Sequence, residues 1–350
     1  MRGVAWRALI LLAAVALAVG GAGCGGDDGG APEGGGGTAE GSGGAEGGDD
    51  ALKTAILLPC PTSDPWCKQA YDAIKKVEQE EKIDLQITAN GPQDTAAVTR
   101  VLSQYAQNGA KLIFAHSTFQ DAAFEVAQRF PDVNIATYAF ELRDNVAILE
   151  EPIYQAAYLA GMLAGGITES NTLGGVAGQD VPLCHAELEA FEAGAKRANA
   201  KIRMIDSYLG DWNDVAKGKQ ATEAQIDQGA DVILGCGGAP ANGMAEAIKD
   251  ANVSGFGYVG DQSAQAPKNL VGSVIYNLEP YFKAAIEDVQ NGKFRPAKRY
   301  EFGLAEGGVD LKLNDQYSAR KIPEDVMDAM KRVRDQIVSG EFKVPYEAGV

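Results

Sequence analysis

Two tryptophans stand in segments where a flat molecule could be gripped. Trp66 closes the run Pro59-Cys60-Pro61-Thr62-Ser63-Asp64-Pro65-Trp66, and Trp212 lies in Gly210-Asp211-Trp212-Asn213-Asp214. Each run follows a β-rich stretch, so each indole is expected at the carboxyl end of a strand. Stacking of a base-like ring on one aromatic face is worth about 1–3 kcal/mol. Two indoles approaching from opposite sides would therefore form a clamp for a planar ligand. Asp64, Asp180, Asn213 and Asp261 are the candidates for polar contacts at the ring edge, with Tyr276 as a wall. Ser117 and Gly237, at two further strand ends, complete the expected site; the glycine allows close backbone approach. The plainer alternatives are that Trp66 packs beneath a helix and that the carboxylates are helix caps.

Reaction chemistry finds little support. Gly235, Gly237 and Gly238 follow a strand, but Pro240 occupies the position where a dinucleotide fingerprint needs its third glycine. No phosphate-loop, Gly-x-Ser-x-Gly or His-Glu-x-x-His pattern occurs. Only His116 and His185 are present, which argues against a multi-histidine metal site. The aspartates sit on separate loops without calcium-loop spacing. Cys184 adjoins His185, yet adjacent side chains usually point apart. The expectation is a binding protein with no catalytic residue, no metal and no cofactor. An exported nucleoside-processing enzyme and a ligand sensor are the rival readings.

The cysteines number five: Cys24, Cys60, Cys67, Cys184 and Cys236. Setting Cys24 aside leaves an even set, which in an exported protein suggests two disulfides. Three pairings are possible. Cys60 and Cys67 bracket a short proline-rich loop and are expected to pair, leaving Cys184 and Cys236 to join two strand ends. Zinc is the alternative, but no Cys-x-x-Cys spacing occurs.

The net charge of −17 argues against nucleic acid or an anionic membrane surface as the main partner, since both need a basic footprint. Arg2 and Arg7 precede an apolar run from Ala8 to Val19, too short for a comfortable permanent span. Small residues follow, so residues 1–23 read as a signal peptide. Gly21-Ala22-Gly23-Cys24 resembles the lipobox of bacterial lipoproteins, in which the cysteine is acylated. Residues 24–51 are mostly glycine and small or acidic residues and read as a flexible tether.

The elements that must position the loops alternate in type. Strands are expected at Thr54–Leu58, Leu85–Thr88, Leu112–Ala115 and Ile135–Tyr138. They restart at Leu173–Ala177, Ile202–Ile205, Val232–Leu234, Phe256–Val259 and Val271–Ile275. Helical spacing separates them: Val98, Val101, Leu102 and Tyr105 share one face, and Val326, Met330, Val333 and Ile337 another. Such alternation predicts an α/β protein with two Rossmann-like lobes. Ligands of these folds bind outside the carboxyl ends of the strands.

Four segments then carry a resemblance: Phe191-Glu192-Ala193-Gly194, Gly210 to Gly218, Asp227-Gln228-Gly229-Ala230-Asp231-Val232 and Gly260-Asp261-Gln262-Ser263. In order and spacing the chain resembles the basic membrane lipoprotein family, substrate-binding lipoproteins of ABC importers that include purine nucleoside receptors. The resemblance implies a type I periplasmic-binding-protein fold with three crossovers. It places the N-terminal lobe at 52–148 plus 262–297 and the C-terminal lobe at 149–261 plus 298–350. It also implies a purine base, nucleoside or similar heteroaromatic ligand and ABC permease subunits as partners. The protein is expected to be a monomer, lipid-anchored outside the cell membrane. Trp66 and Trp212 match the family's base-stacking positions. Val259 stands where nucleoside binders carry Asp, and Tyr276 where they carry Lys, so the resemblance favours a free base. Tyr276-Asn277-Leu278-Glu279-Pro280-Tyr281 fits a branch suited to small aromatic ligands. Cys67 replaces the Asn that often follows the first aromatic.

Overall fold

The long apolar runs become the central strands of two sheets. A computed structural model describes residues 51–345; the expected signal peptide, Cys24 and nearly all of the tether lie outside the described residues. The chain first lays down β1 (Leu52–Leu57), α1 (Pro65–Glu80), β2 (Ile83–Thr88), α2 (Thr95–Gln107), β3 (Leu112–Ala115), α3 (Gln120–Arg129), β4 (Asn134–Thr137) and β5 (Val146–Glu150). A second series follows with α4 (Tyr154–Ile167), β6 (Thr172–Ala177), α5 (Pro182–Ala198), β7 (Arg203–Tyr208), α6 (Val215–Asp227), β8 (Val232–Cys236), α7 (Pro240–Ala251), β9 (Ser254–Val259) and β10 (Leu270–Tyr276). Then come α8 (Glu279–Gln290), β11 (Arg299–Glu301), β12 (Val309–Leu313) and α9 (Glu324–Val338).

The first sheet runs β11-β5-β4-β3-β1-β2 and the second β12-β10-β9-β8-β6-β7. All pairings are parallel except that of β12 with β10. Central strands such as β3, β6 and β8 are buried along their whole length. Helices covering both faces of a parallel sheet require this, and it is why these strands read as continuous apolar runs. At the edges, β2 and β7 carry exposed residues.

The chain passes between lobes three times: from β5 to α4, from β10 to α8, and from β11 to β12. These passages correct the expected boundaries. Residues 270–276 belong to the second sheet, because β10 is hydrogen-bonded beside β9. Helix α8 brings Tyr281, Phe282, Ala285 and Ile286 into the first lobe's core with Ile56 and Leu112. The first lobe then keeps the chain through β11, which pairs with β5. Only after Glu301 does it return, where α9 places Met330, Val333 and Ile337 on the second core.

Helix α4 is almost wholly apolar and buried on every side. It meets α5 at interlocked glycines. A Cβ added at Gly161 would overlap the Phe191 carbonyl oxygen, and one at Gly194 would overlap that of Tyr158. Absence of side chains lets the two backbones touch, and this seats α5 and the residues it presents to the strand ends. Overpacking a core typically costs about 1–3 kcal/mol. Gly161→Ala and Gly194→Ala should each lower unfolding free energy by about that amount, read from the denaturant midpoint; unchanged midpoints would mean that the helices slide apart without penalty.

Candidate functional site

Asp64 caps α1: its Oδ1 accepts hydrogen bonds from the backbone N–H groups of Trp66 at 2.9 Å and Cys67 at 3.4 Å. Pro65 occupies the first turn, where its missing N–H costs nothing. Cys60 and Cys67 are joined in a disulfide across this loop, with Cα atoms 5.8 Å apart. Cap, proline and cross-link together fix the direction of Trp66. Burial pushes the Asp64 carboxyl up, and the two N–H donors oppose that rise.

The Trp66 indole lies against the His116 imidazole, with ring centroids 4.1 Å apart and planes 25° apart. Tyr138, just after β4, is tilted against the indole and meets the imidazole edge-on. His116 is only 2 % exposed and neither ring nitrogen has a hydrogen-bond partner. Burial drives its pKa down to about 3, so the imidazole is neutral. The Tyr138 hydroxyl donates to Glu151 Oε1 at 2.6 Å. Glu151 follows β5, in the first passage between lobes. Burial lifts its pKa to about 8, against the stabilising bond from Tyr138.

The second lobe answers with glycine. Gly178 and Gly237 form the seat of Trp212: a Cβ at Gly178 would strike the indole, and one at Gly237 would lie 3.6 Å from its Cε3. Trp212 remains 38 % exposed. A Cβ at Gly238 would come 3.0 Å from Asp64 Oδ2 in the opposite lobe. Trp66 itself packs against apolar residues of both lobes. The strand ends of the two lobes are therefore in contact around the loops that carry the two indoles.

Deeper in the second lobe, the Tyr258 and Tyr276 hydroxyls are 3.1 Å apart. The Cys184–Cys236 disulfide joins the start of α5 to the end of β8, and Cys236 Sγ lies 3.6 Å from the Tyr258 hydroxyl. Glu187, on α5, is fully buried and neither carboxyl oxygen completes a hydrogen bond. The Tyr258 hydroxyl only partly offsets the burial that raises its pKa well above the carboxylate range.

Several expected site residues are committed elsewhere. Asp180 pairs with His185 Nε2 at 2.6 Å, and the other nitrogen of that ring meets Tyr208. Asp261 pairs with Lys312 at 2.8 Å, and that contact, with Ser263, holds its pKa down to about 2. Asp261 is thus paired with a cation at the surface, whereas Asp180 is hydrogen-bonded to an imidazole. Asn213 is exposed, with its backbone N–H turned to Asp211. Ser117 contributes backbone, its carbonyl accepting from the Thr137 hydroxyl and the Tyr138 N–H. Cys184 is cross-linked and cannot act as a nucleophile. Cys60, Asp64 and Cys67 cluster within 4.8 Å, but the disulfide removes two metal ligands from that trio.

His116, Tyr138, Glu151, Glu187 and Tyr258 were not among the expected site residues. Glu187 had a signal: it shares a helical face with Cys184, Leu188 and Phe191, where a carboxylate is anomalous. Glu151 follows a strand the pattern did not reveal.

The sequence model described as "ABC transporter substrate-binding protein PnrA-like", of the Bmp family, matches residues 52–348. The chain belongs to the Bmp family. It is thus an ABC transporter substrate-binding protein, of a family of solute binders and not of enzymes. Its relatives differ in the ligand their names give. A protein of Haloferax volcanii named as glucose-binding is 28 % identical over 279 residues, covering 79 % of this chain and 68 % of its own. A purine-binding protein of Brucella abortus is 25 % identical over 299 residues, covering 84 % and 83 %. The nucleoside-binding protein of Lactococcus lactis is 27 % identical over 259 residues, covering 68 % and 72 %. Among solved structures, a solute-binding protein of Conexibacter woesei superposes with a TM-score of 0.70 at 22 % identity, over 85 % of this chain and 99 % of that one. A second, from Aeropyrum pernix, gives 0.71 at 22 % identity, over 84 % and 94 %. These bear out the expected periplasmic-binding-protein type of fold. Among the described residues, no helix is long and apolar enough to cross a membrane.

The raised pKa of Glu151 has a consequence for stability. An unfolded glutamate releases its proton near 4.5, whereas the folded one keeps it to about 8. Between those values the folded state binds more protons, so this contribution is full below about 4.5 and is lost as pH rises toward about 8. The stability difference between wild type and Glu151→Gln should therefore shift against wild type across that window. A difference flat in pH, measured by denaturant unfolding, would show an ordinary ionised carboxylate.

Proposed function

We propose that the cleft captures a planar heteroaromatic ligand, foremost a free purine base, for an ABC importer. The observation that carries this reading is the placing of two indoles at one lobe junction. Trp66 touches both lobes, and Trp212 rests exposed on a glycine seat beside the loop that abuts Asp64. The purine and nucleoside names of two relatives support it. Ribose recognition has less support: Val259 and Tyr276 offer neither the carboxylate nor the amine expected of nucleoside binders. Tyr276 is 3 % exposed and engaged with Tyr258, which suits a wall.

Ligand capture requires the closed state to bind better than the open one, and the three passages between lobes are the hinge about which the halves would move. The closed form would dock on permease subunits as a monomer. Upstream, Cys24 would be acylated after removal of residues 1–23, holding the protein outside the membrane. No step of chemistry on the ligand is proposed.

A sugar is the second reading, favoured by the glucose-binding name of the Haloferax relative. Titration calorimetry with adenine, inosine and glucose separates the two. Adenine should bind, and Trp66→Ala and Trp212→Ala should each weaken it about tenfold or more, in line with a stack worth about 1–3 kcal/mol. Binding of glucose alone, or adenine affinity indifferent to both substitutions, would refute the aromatic clamp.

A further inference from the structure

Two carboxyl groups stand beside the two indole loops, one from each lobe. Glu151, at the passage out of the first lobe, accepts from the Tyr138 hydroxyl, whose ring meets Trp66 and His116; Glu187 lies one helical turn after Cys184, which is bonded to Cys236, next to the Gly237 seat of Trp212. Besides Tyr138, which donates to it, the ionisable groups that interact electrostatically with Glu151 are Tyr258, Tyr276 and Tyr281, and those that interact with Glu187 are Tyr258 and Tyr276. Among the described residues, no lysine, arginine or histidine pairs with either acid. The nearby imidazole of His116 lacks a charge, being buried and neutral.

A carboxyl that is fully buried and completes no hydrogen bond is costly. Glu187 could have been leucine at no loss to the apolar face it shares with Leu188 and Phe191. Its oxygens and the ring nitrogens of His116 complete no hydrogen bond of ordinary geometry, although the Tyr258 hydroxyl acts on Glu187 and the Trp66 backbone on His116. Aromatic faces and unpaired carboxylates are the two features that attract an organic cation: the rings through their negative faces, the acids through charge-assisted hydrogen bonds. A neutral base would leave both acids protonated and at least Glu187 unsatisfied.

We propose that the ligand is a planar organic cation, such as an aminopyridinium or aminopyrimidinium, whose N–H edge is held by Glu151 and Glu187 while its ring lies against the tryptophans. The proposal rests on the aromatic-clamp reading of the cleft and replaces the neutral purine with a charged heteroaromatic ring as the foremost ligand. On binding, the acid that meets the cation gives up its proton to solvent and becomes its counter-ion.

The test compares 4-aminoquinoline, cationic at neutral pH, with quinoline, its uncharged isostere, by titration calorimetry on the mature protein. Adenine and glucose serve as reference ligands. The cation should bind at least about tenfold tighter than quinoline, and the ratio should collapse toward about one in Glu187→Gln or Glu151→Gln, as expected for loss of a charge-assisted bond. If the variants do not fold, the wild type answers alone. Titrations at pH 7 in phosphate and in Tris should show release of about one proton per 4-aminoquinoline bound. Equal affinity for the two quinolines, a preference that survives both substitutions, or no proton release would overturn the cation proposal. Adenine binding without cation preference would do so while leaving the clamp intact. Binding of glucose and of none of the aromatics would remove both.

Discussion

Trp66 belongs to two hydrophobic cores at once, and the contact of the lobes is organised around that membership. The indole leaves α1 in a direction set by the Asp64 cap and the Cys60–Cys67 bond, then packs on apolar residues of both halves. An aromatic side chain of this size covers about 150–250 Å². Such burial can favour the joined state by a few kcal/mol even before a ligand enters, on the order of 25 cal/mol per Å². A ligand can then shift the open–joined equilibrium only by its difference in affinity for the two forms.

The polar side of the junction follows a different logic. Burial without a cation raises the pKa of a carboxyl group, and it does so for both Glu151 and Glu187. Tyrosines surround them because a phenol can donate to one neighbour and accept from the next. The Cys184–Cys236 bond ties the helix bearing Glu187 to the strand end beside Tyr258. The acid is thus carried on a braced element, and it cannot relax into solvent without unpicking that attachment.

The sequence pattern disclosed the architecture more fully than the site. Helix α1 (Pro65–Glu80) is legible in the sequence, because a proline, a preceding Asp cap and an apolar stripe all agree. Strands β3 and β6 were legible as short apolar runs. Strand β5 was missed, although Val146-Ala147-Ile148-Leu149 is an apolar run of the same kind and Asp144-Asn145 form a turn before it. Its loss also hid Glu151. β10 was found as a strand, but local pattern says nothing of which sheet it joins. That depends on hydrogen bonds to β9. Trp66 and Trp212 could be placed at strand ends by order alone. Asp180 and Asp261 could not be judged, because their partners are a histidine five residues along and a lysine on a strand formed much later. Long-range pairing of this kind leaves no mark on the local residues.

Gly238 has a geometric consequence of its own. With no side chain there, the main chain after β8 draws up to the Asp64 oxygen. This residue acts as a spacer of zero thickness between the jaws, so the shut distance is fixed by backbone and carboxylate rather than by adjustable side chains. Divergent members of a lineage could reset the width of the mouth, and with it the thickness of guest admitted, by altering this single position.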